Sequence, residues 1–330
     1  MHYDYELLRL SEGVKSLPRR SLKGRDILSI NDLTVEEIYT ILNVAKKFKL
    51  ESSYRENSRL LEGKNLALIF AYESTRTRIG FEAAMHQLGG DCIYLPIKTM
   101  MTARGEPWKD TARVLDKIVD GIAARLLQEE AIYELAEYAE IPVLNASTPT
   151  DHPIQTLGEL LTILEKKGRL EGLKIAYNGM TRALCHSLLL VCPKLGMDIS
   201  ISYPEVYTIN EKILKEAEKN AEETGAKITL THDLKEALKD ADVVYDCILL
   251  RSYLAGEKVS DEDKIIIEKY QITKEIMKYA KEDAIFMHPG PAFRGYEVTD
   301  EVIEGPQSVV WDEVENAFYA KKAVLALVLG

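Results

Sequence analysis

Two short runs in this 330-residue chain place anion-binding and carbonyl-polarising side chains where helices begin. The first is Glu73-Ser74-Thr75-Arg76-Thr77-Arg78, set between an apolar strand-like stretch and a helical one. A helix N-terminus offers unpaired N–H groups and the positive end of the dipole. The hydroxyls of Ser74, Thr75 and Thr77 add donors, and Arg76 adds a bidentate charge suited to phosphate. An ordinary capped helix with surface arginines is the alternative. A nucleotide P-loop is excluded, because G-x-x-x-x-G-K-S/T is absent.

The second run is Asp151-His152-Pro153-Ile154-Gln155, at a turn into a long helix with Pro153 at its first position. His152 and Gln155 are three apart and share one face. Aimed together they would polarise a carbonyl and hold an amide; a structural histidine is the alternative. In Met287-His288-Pro289-Gly290-Pro291, two prolines around a glycine fix an unusual path and release carbonyl oxygens from ladder bonding. That run also reads as a rigid turn and no more. Asn178-Gly179-Met180-Thr181-Arg182 follows a strand, where open α/β sheets bind ligands. Arg182 would meet a substrate carboxylate there, or face solvent. The dinucleotide fingerprint G-x-G-x-x-G is missing from this turn.

The elements that must hold these runs alternate along the chain, which predicts α/β layers with a mostly parallel sheet. Strands are expected at 65–72, 91–97, 121–127 and 141–147, then at 173–179, 198–204, 227–233, 241–250 and 284–290. Thr34 with Glu37 three residues on reads as the N-cap of a helix. Further helices are expected over 74–88, 152–167, 184–195, 211–225 and 312–329. The charge run of the 211–225 helix reads as a solvated face.

Composition narrows the partners. The net charge is −11, which argues against a general affinity for nucleic acid or an anionic membrane. A local basic pocket for a small anion stays compatible with it. No apolar stretch approaches the roughly 18 residues of a membrane span, and the N-terminus lacks a secretory layout. Cys92, Cys185, Cys192 and Cys247 form no C-x-x-C pair, and the six histidines have no metal-ligand spacing. No metal is expected, and a reducing cytoplasm is the expected compartment.

Taken in order, Ser74-Thr75-Arg76-Thr77-Arg78 with Phe81-Glu82, Gly105-Glu106, Asp110-Thr111, Asp120-Gly121-Ile122 with Arg125, and His152-Pro153-x-Gln155 resemble the aspartate/ornithine carbamoyltransferases. The resemblance runs from about residue 24 to 330 and implies two Rossmann-like α/β domains with parallel sheets, joined by long helices. It implies a carbamoyl phosphate-binding domain over 1–150, with the C-terminal helix 312–330 packing back on it. An acceptor-binding domain is implied over 151–311. The implied enzyme moves the carbamoyl group of carbamoyl phosphate to an amine, without cofactor, as a homotrimer or a multiple of trimers.

By the same resemblance, Ser74, Thr75, Arg76 and Thr77 hold the phosphate, and Arg125 contacts phosphate and the carbonyl oxygen. His152 polarises that oxygen and Gln155 holds the carbamoyl amide, which the backbone carbonyls of Pro289 and Gly290 also receive. Arg76, Arg125 and His152 are the implied catalytic group. Arg78 and Glu82 read as architectural.

The acceptor side departs from both branches. Lys109-Asp110-Thr111-Ala112-Arg113-Val114-Leu115 and Asp312-Glu313-x-Glu315-Asn316 resemble the ornithine branch, whereas His288-Pro289-Gly290-Pro291 has the aspartate-branch form. Where an Asp and then S-M-G are expected, the chain reads Cys247-Ile248-Leu249-Leu250-Arg251-Ser252-Tyr253. The arginine expected after Asn316 is Ala317, and the loop lysine of the aspartate branch is Arg104. Arg182, Cys247, Arg251 and Arg104 are therefore the acceptor candidates. The expected activity is ornithine carbamoyltransferase-like with an unusual acceptor pocket. Aspartate or another amine such as putrescine is the alternative acceptor, and a non-catalytic binding paralogue is a further one.

Overall fold

The computed structural model describes residues 22–52, 59–247, 250 and 258–330. The chain divides into two compact units, Met1–Leu161 with Glu315–Gly330, and Thr162–Val314.

The first unit is built on a four-stranded parallel sheet of β1 (Asn65–Phe70), β2 (Asp91–Pro96), β3 (Gly121–Arg125) and β4 (Val143–Ser147). The strand order is β2-β1-β3-β4. From Leu66 to Phe70 every side chain of β1 is buried, as in a parallel strand covered on both faces. The helices are α1 (Val35–Ser52), α2 (Thr75–Gln87), α3 (Trp108–Asp116) and α4 (Glu129–Tyr138). The capping box expected at α1 is formed. Thr34 Oγ1 accepts from the Glu37 amide at 3.2 Å, and Glu37 Oε2 accepts from the Thr34 amide at 3.0 Å. Ile38, Ile41, Leu42 and Ala45 make the buried face of that helix.

The chain leaves β1 for β2 on one side and returns to β3 on the other. The carboxyl ends of β1 and β3 are thus a topological switch point, where open α/β sheets bind ligands. The segment Ala71–Ser74 and Arg125 lie there.

The helix α5 (Pro153–Lys167) follows. The second unit carries a five-stranded parallel sheet in the order β7-β6-β5-β8-β9. Its strands are β5 (Lys174–Asn178), β6 (Asp198–Ser202), β7 (Ile228–Thr231), β8 (Val243–Asp246) and β9 (Ile285–Met287). The helices α6 (Ala183–Lys194), α7 (Glu211–Thr224), α8 (Leu234–Leu238), α9 (Asp261–Tyr270), α10 (Lys274–Met277) and α11 (Asp300–Ile303) surround it, and α12 (Val310–Leu329) closes the chain. The two division points of the chain fall within α5 and α12. In this sheet the switch point is between β5 and β8, so residues 178–182 and Cys247 lie at it.

The strands are shorter than the runs expected for them. Of the run 241–250, residues 248 and 249 lie outside the described residues; Val243–Asp246 form β8, and the carbonyl of Asn178, the last residue of its partner β5, accepts from the Cys247 amide at 2.9 Å. The run 284–290 stops at Met287, since Pro289 and Pro291 bring no N–H to a ladder.

In the first unit, Gly158 of α5 lies so close to α12 that a Cβ would stand 2.6 Å from Ala317 Cα. Backbone cannot yield as a flexible side chain does. Gly158→Ala is therefore expected to cost about 1–3 kcal/mol by overpacking, read as a lower urea midpoint with an unchanged m-value. An unaltered midpoint would show that the two helices separate freely.

Candidate active site

Ser74 is the N-cap of α2, in extended conformation, and its hydroxyl makes no capping bond. It is thereby available to a ligand. Thr75 and Arg76 are exposed in the first turn of α2 and Thr77 is buried beneath them. Arg78 points elsewhere. Its Nε donates to Glu82 Oε1 at 2.8 Å, and its guanidinium stacks 3.7 Å over the Tyr94 ring. This is an i,i+4 pair of the kind that braces a helix surface.

Arg125 ends β3, and a bulge aims it. Ala124 pairs with Asn145, but Arg125 pairs with Ser147, so Ala146 is the extra residue on β4. Ser147 has φ of +147°, a conformation L residues rarely adopt. Asn145 holds it, accepting from the Ser147 amide at 2.9 Å while its own amide donates to the Leu28 carbonyl at 2.7 Å. Asp151 fixes the end of the same turn, accepting from Ser29 Oγ at 2.5 Å and the Ile30 amide at 3.0 Å. The strained turn and its two anchors determine where His152 emerges.

Arg125 Nη1 lies 3.5 Å from Thr77 Oγ1 and 3.4 Å from His152 Nε2, and the guanidinium sits 4.4 Å over the Tyr72 ring. Burial, and secondarily the charge of Arg76, lowers the Arg125 pKa, while Tyr72 opposes the shift. In the Nδ1–H tautomer His152 Nε2 accepts from Arg125, and in the Nε2–H tautomer the same nitrogen is a donor to a ligand oxygen. Burial first, then Arg125 and Lys321, hold the His152 pKa well below its ordinary value. The ring is thus neutral at physiological pH, a hydrogen-bond donor that carries no charge. Gln155, one turn into α5, donates from Nε2 to Glu159 Oε1 at 2.8 Å, which leaves its carbonyl oxygen to face an N–H group.

The first unit therefore holds Ser74, Thr75, Arg76, Thr77, Arg125, His152 and Gln155 around one sheet edge. Arg104 is exposed in a 3-10 turn, Met101–Arg104, that ends at Gly105 with φ of +98°.

The second unit holds the other candidates. Arg182 is the exposed N-cap of α6, and Cys247 directly follows β8. The two strand ends approach closely, since a Cβ on Gly179, whose φ is +145°, would stand 2.9 Å from the Cys247 carbonyl oxygen. Arg251 lies outside the described residues. Pro289 and Gly290 sit in a turn locked by His288, whose Nδ1 accepts from the Gly290 amide at 2.8 Å. Its Nε2 then bears the proton and donates to Glu297 Oε1 at 3.0 Å, while its amide donates to Glu313 Oε2 at 2.8 Å.

Three groups escaped the sequence reading. Glu159 and Lys321 stand four residues after Gln155 and Ala317, a helical spacing that signals a shared face once those partners are chosen. Asp246, one residue before Cys247, is fully buried and accepts from Asn178 Nδ2 at 2.7 Å. Burial, then the charge of Glu297, pushes its carboxyl well above the usual range. Among the described residues, no group of three or more His, Cys, Asp or Glu is placed to hold a metal ion. No helix there is long and apolar enough to cross a membrane.

Two family models match the chain. The carbamoyl-P binding domain of aspartate/ornithine carbamoyltransferase matches residues 25–165, and the Asp/Orn binding domain matches residues 171–328. The chain is 47% identical over 310 residues to an ornithine carbamoyltransferase of Pyrococcus horikoshii, covering 94% of this chain and 97% of the relative. The solved structure of the ornithine carbamoyltransferase from Pyrococcus furiosus matches with a TM-score of 0.90 at 47% identity, over 94% and 98% of the two chains. Aspartate transcarbamoylase from Trypanosoma cruzi, in complex with aspartate and phosphate, matches with a TM-score of 0.84 at 28% identity, over 95% and 98%.

The buried His152 also gives the fold a pH signature. Its folded pKa is depressed, so below about pH 6.5 the unfolded chain binds the proton that the folded ring refuses. Stability is therefore expected to fall as pH drops from 6.5 toward 5. In urea titrations across that range, His152→Asn is expected to show a shallower fall. Parallel slopes in the two proteins would mean that His152 is protonated in the fold.

Proposed function

The chain belongs to the aspartate/ornithine carbamoyltransferase family, and on that premise we propose that it carries the carbamoyl group of carbamoyl phosphate to an amine of ornithine. It is a carbamoyltransferase, with a carbamoyl phosphate-binding domain and an amino acid-binding domain. The single observation that carries ornithine is the 47% identity, over 94% of the chain, to relatives named ornithine carbamoyltransferase. The site residues belong to this reading as follows.

The amides at the start of α2 and the hydroxyls of Ser74, Thr75 and Thr77 receive the phosphoryl oxygens, with Arg76 supplying charge. Arg125 contacts both the phosphoryl group and the carbonyl oxygen. His152 donates to that oxygen as a neutral imidazole, and the Gln155 carbonyl accepts from the carbamoyl NH2. Pro289 and Gly290 are assigned to that same amide through their carbonyl oxygens.

Attack forms the bond from the amine nitrogen to the carbamoyl carbon, and the carbon–oxygen bond to phosphate then breaks. Negative charge grows first on the carbonyl oxygen and then on the departing phosphate. Donors already in place stabilise both without reorganising. The amine proton leaves with the phosphate, so a separate general base is unnecessary.

The acceptor side is modified relative to either branch. Arg182 at the end of β5 is assigned to the acceptor carboxylate, with Cys247 beside it at the end of β8. Arg104 completes the acceptor assignment from its exposed turn. The same reading takes the working form to be a homotrimer and its compartment the cytoplasm.

An acceptor panel tests the reading. The purified protein is given carbamoyl phosphate with ornithine, aspartate, putrescine, lysine or 2,3-diaminopropionate, and ureido product and phosphate are both measured. Ornithine is expected to give the two in equal amounts, and Arg182→Ala to raise the ornithine KM while sparing that of carbamoyl phosphate. Turnover of aspartate or a diamine in place of ornithine would overturn the acceptor. No turnover with any amine would contradict catalysis of these reactions.

A further inference from the structure

Lys321 lies on α12 and is 2% exposed. Its stem runs over Gly80 of α2, where a Cβ would stand 2.9 Å from Lys321 Cδ. Its ammonium donates to the Ala317 carbonyl at 2.9 Å, and that bond satisfies one of its three protons. From α5, Glu159 favours the charge, while Arg125 at the end of β3 and Arg76 on α2 oppose it. His152, at the start of α5, is itself held neutral in part by Lys321. Three cations and one carboxylate therefore act on one another here, and Lys321 is almost wholly withdrawn from water. Arg125 Nε is also buried without a hydrogen-bond partner among the described residues.

A cation withdrawn from water, as Lys321 is, is costly unless an opposite charge joins it. Arg78 is paired with Glu82. Position 317 brings no charge at the previous turn of α12, and Lys321 is four residues on, on the same face. We propose that the Lys321 ammonium is a further cation of the donor site, adding to the charge that Arg76 and Arg125 present to the phosphoryl group. This rests on the carbamoyl phosphate reading above. Lys321 acts through the field it shares with the two arginines, and so is a positioning residue.

The role has a signature that packing alone does not. Burial lowers the Lys321 pKa to about 8. Before the donor binds, the amine thus loses its proton as pH rises through 8. The incoming dianion favours the charged form, so binding takes up a proton above that pH.

Carbamoyl phosphate, without an amine, is titrated calorimetrically into the intact protein at pH 7 and pH 9. At pH 9 the titration is repeated in two buffers of different ionisation heat, which counts the protons taken up. Affinity is expected to be about tenfold weaker at pH 9 than at pH 7, with close to one proton bound per donor at pH 9. In Lys321→Met the uptake is expected to vanish and affinity to be weak at both values; in Lys321→Arg affinity is expected to be retained at pH 9. Tight wild-type binding with no proton uptake at pH 9 would overturn the inference and leave the donor reading standing. No wild-type binding at either pH would overturn the donor reading itself. Should Lys321→Met fail to fold, the wild-type proton count still decides.

Discussion

The structure of the first unit turns on positive charge held where water cannot fully screen it. Arg125 is pressed against the Tyr72 ring, and Lys321 is buried over Gly80. Arg76 acts on both. Glu159 is the carboxylate that offsets this group, and it also receives the Gln155 amide. In a medium of reduced dielectric the buried members of such a group gain from an anion in reach. The neutrality of His152 follows from the same surroundings. A second proton there would be buried beside the charges of Arg125 and Lys321, so the ring is left as a neutral polar group able to meet a carbonyl oxygen.

The backbone is shaped around this constraint. A bulge at Ala146 brings Arg125 to its place, and Ser147 adopts a left-handed φ to carry the chain into α5. Asn145 and Asp151 hold both ends of that turn by bonds to residues 28–30, far off in sequence. The second unit uses a related device. His288 accepts from one amide and donates to Glu297, so its two ring nitrogens freeze the turn that presents Pro289 and Gly290. In both units the turns lie at the carboxyl ends of parallel strands. There, helix N-termini and freed carbonyls provide donors and acceptors at once.

Much of this was legible in the residues. Continuous apolar runs such as Leu66–Phe70 announce parallel strands, and Thr34 with Glu37 announces a helix start. The proximity of Arg125 to Thr77 and His152 was legible only through the ordered motifs, because those residues are 48 and 27 positions away in sequence. Strand ends were less legible. Periodicity does not reveal that the β5–β8 pairing ends at Asn178 and Asp246, and residues 248 and 249 of the run 241–250 lie outside the described residues. Lys321 and Asp246 were missed for a common reason. A charged residue inside a helix or at a strand end reads as surface until packing withdraws it from water. Arg251 falls outside the described residues.

The central claim is that the cations of the first unit form a site for a phosphoryl dianion. Thermal unfolding with and without millimolar inorganic phosphate, against chloride at equal ionic strength, tests it without assuming any acceptor. A ligand that binds only the folded state raises the midpoint by mass action. The wild type is predicted to be stabilised by phosphate over chloride, and Arg125→Gln to lose most of that difference while still folding. An equal response in both proteins, or none in the wild type, would contradict the account.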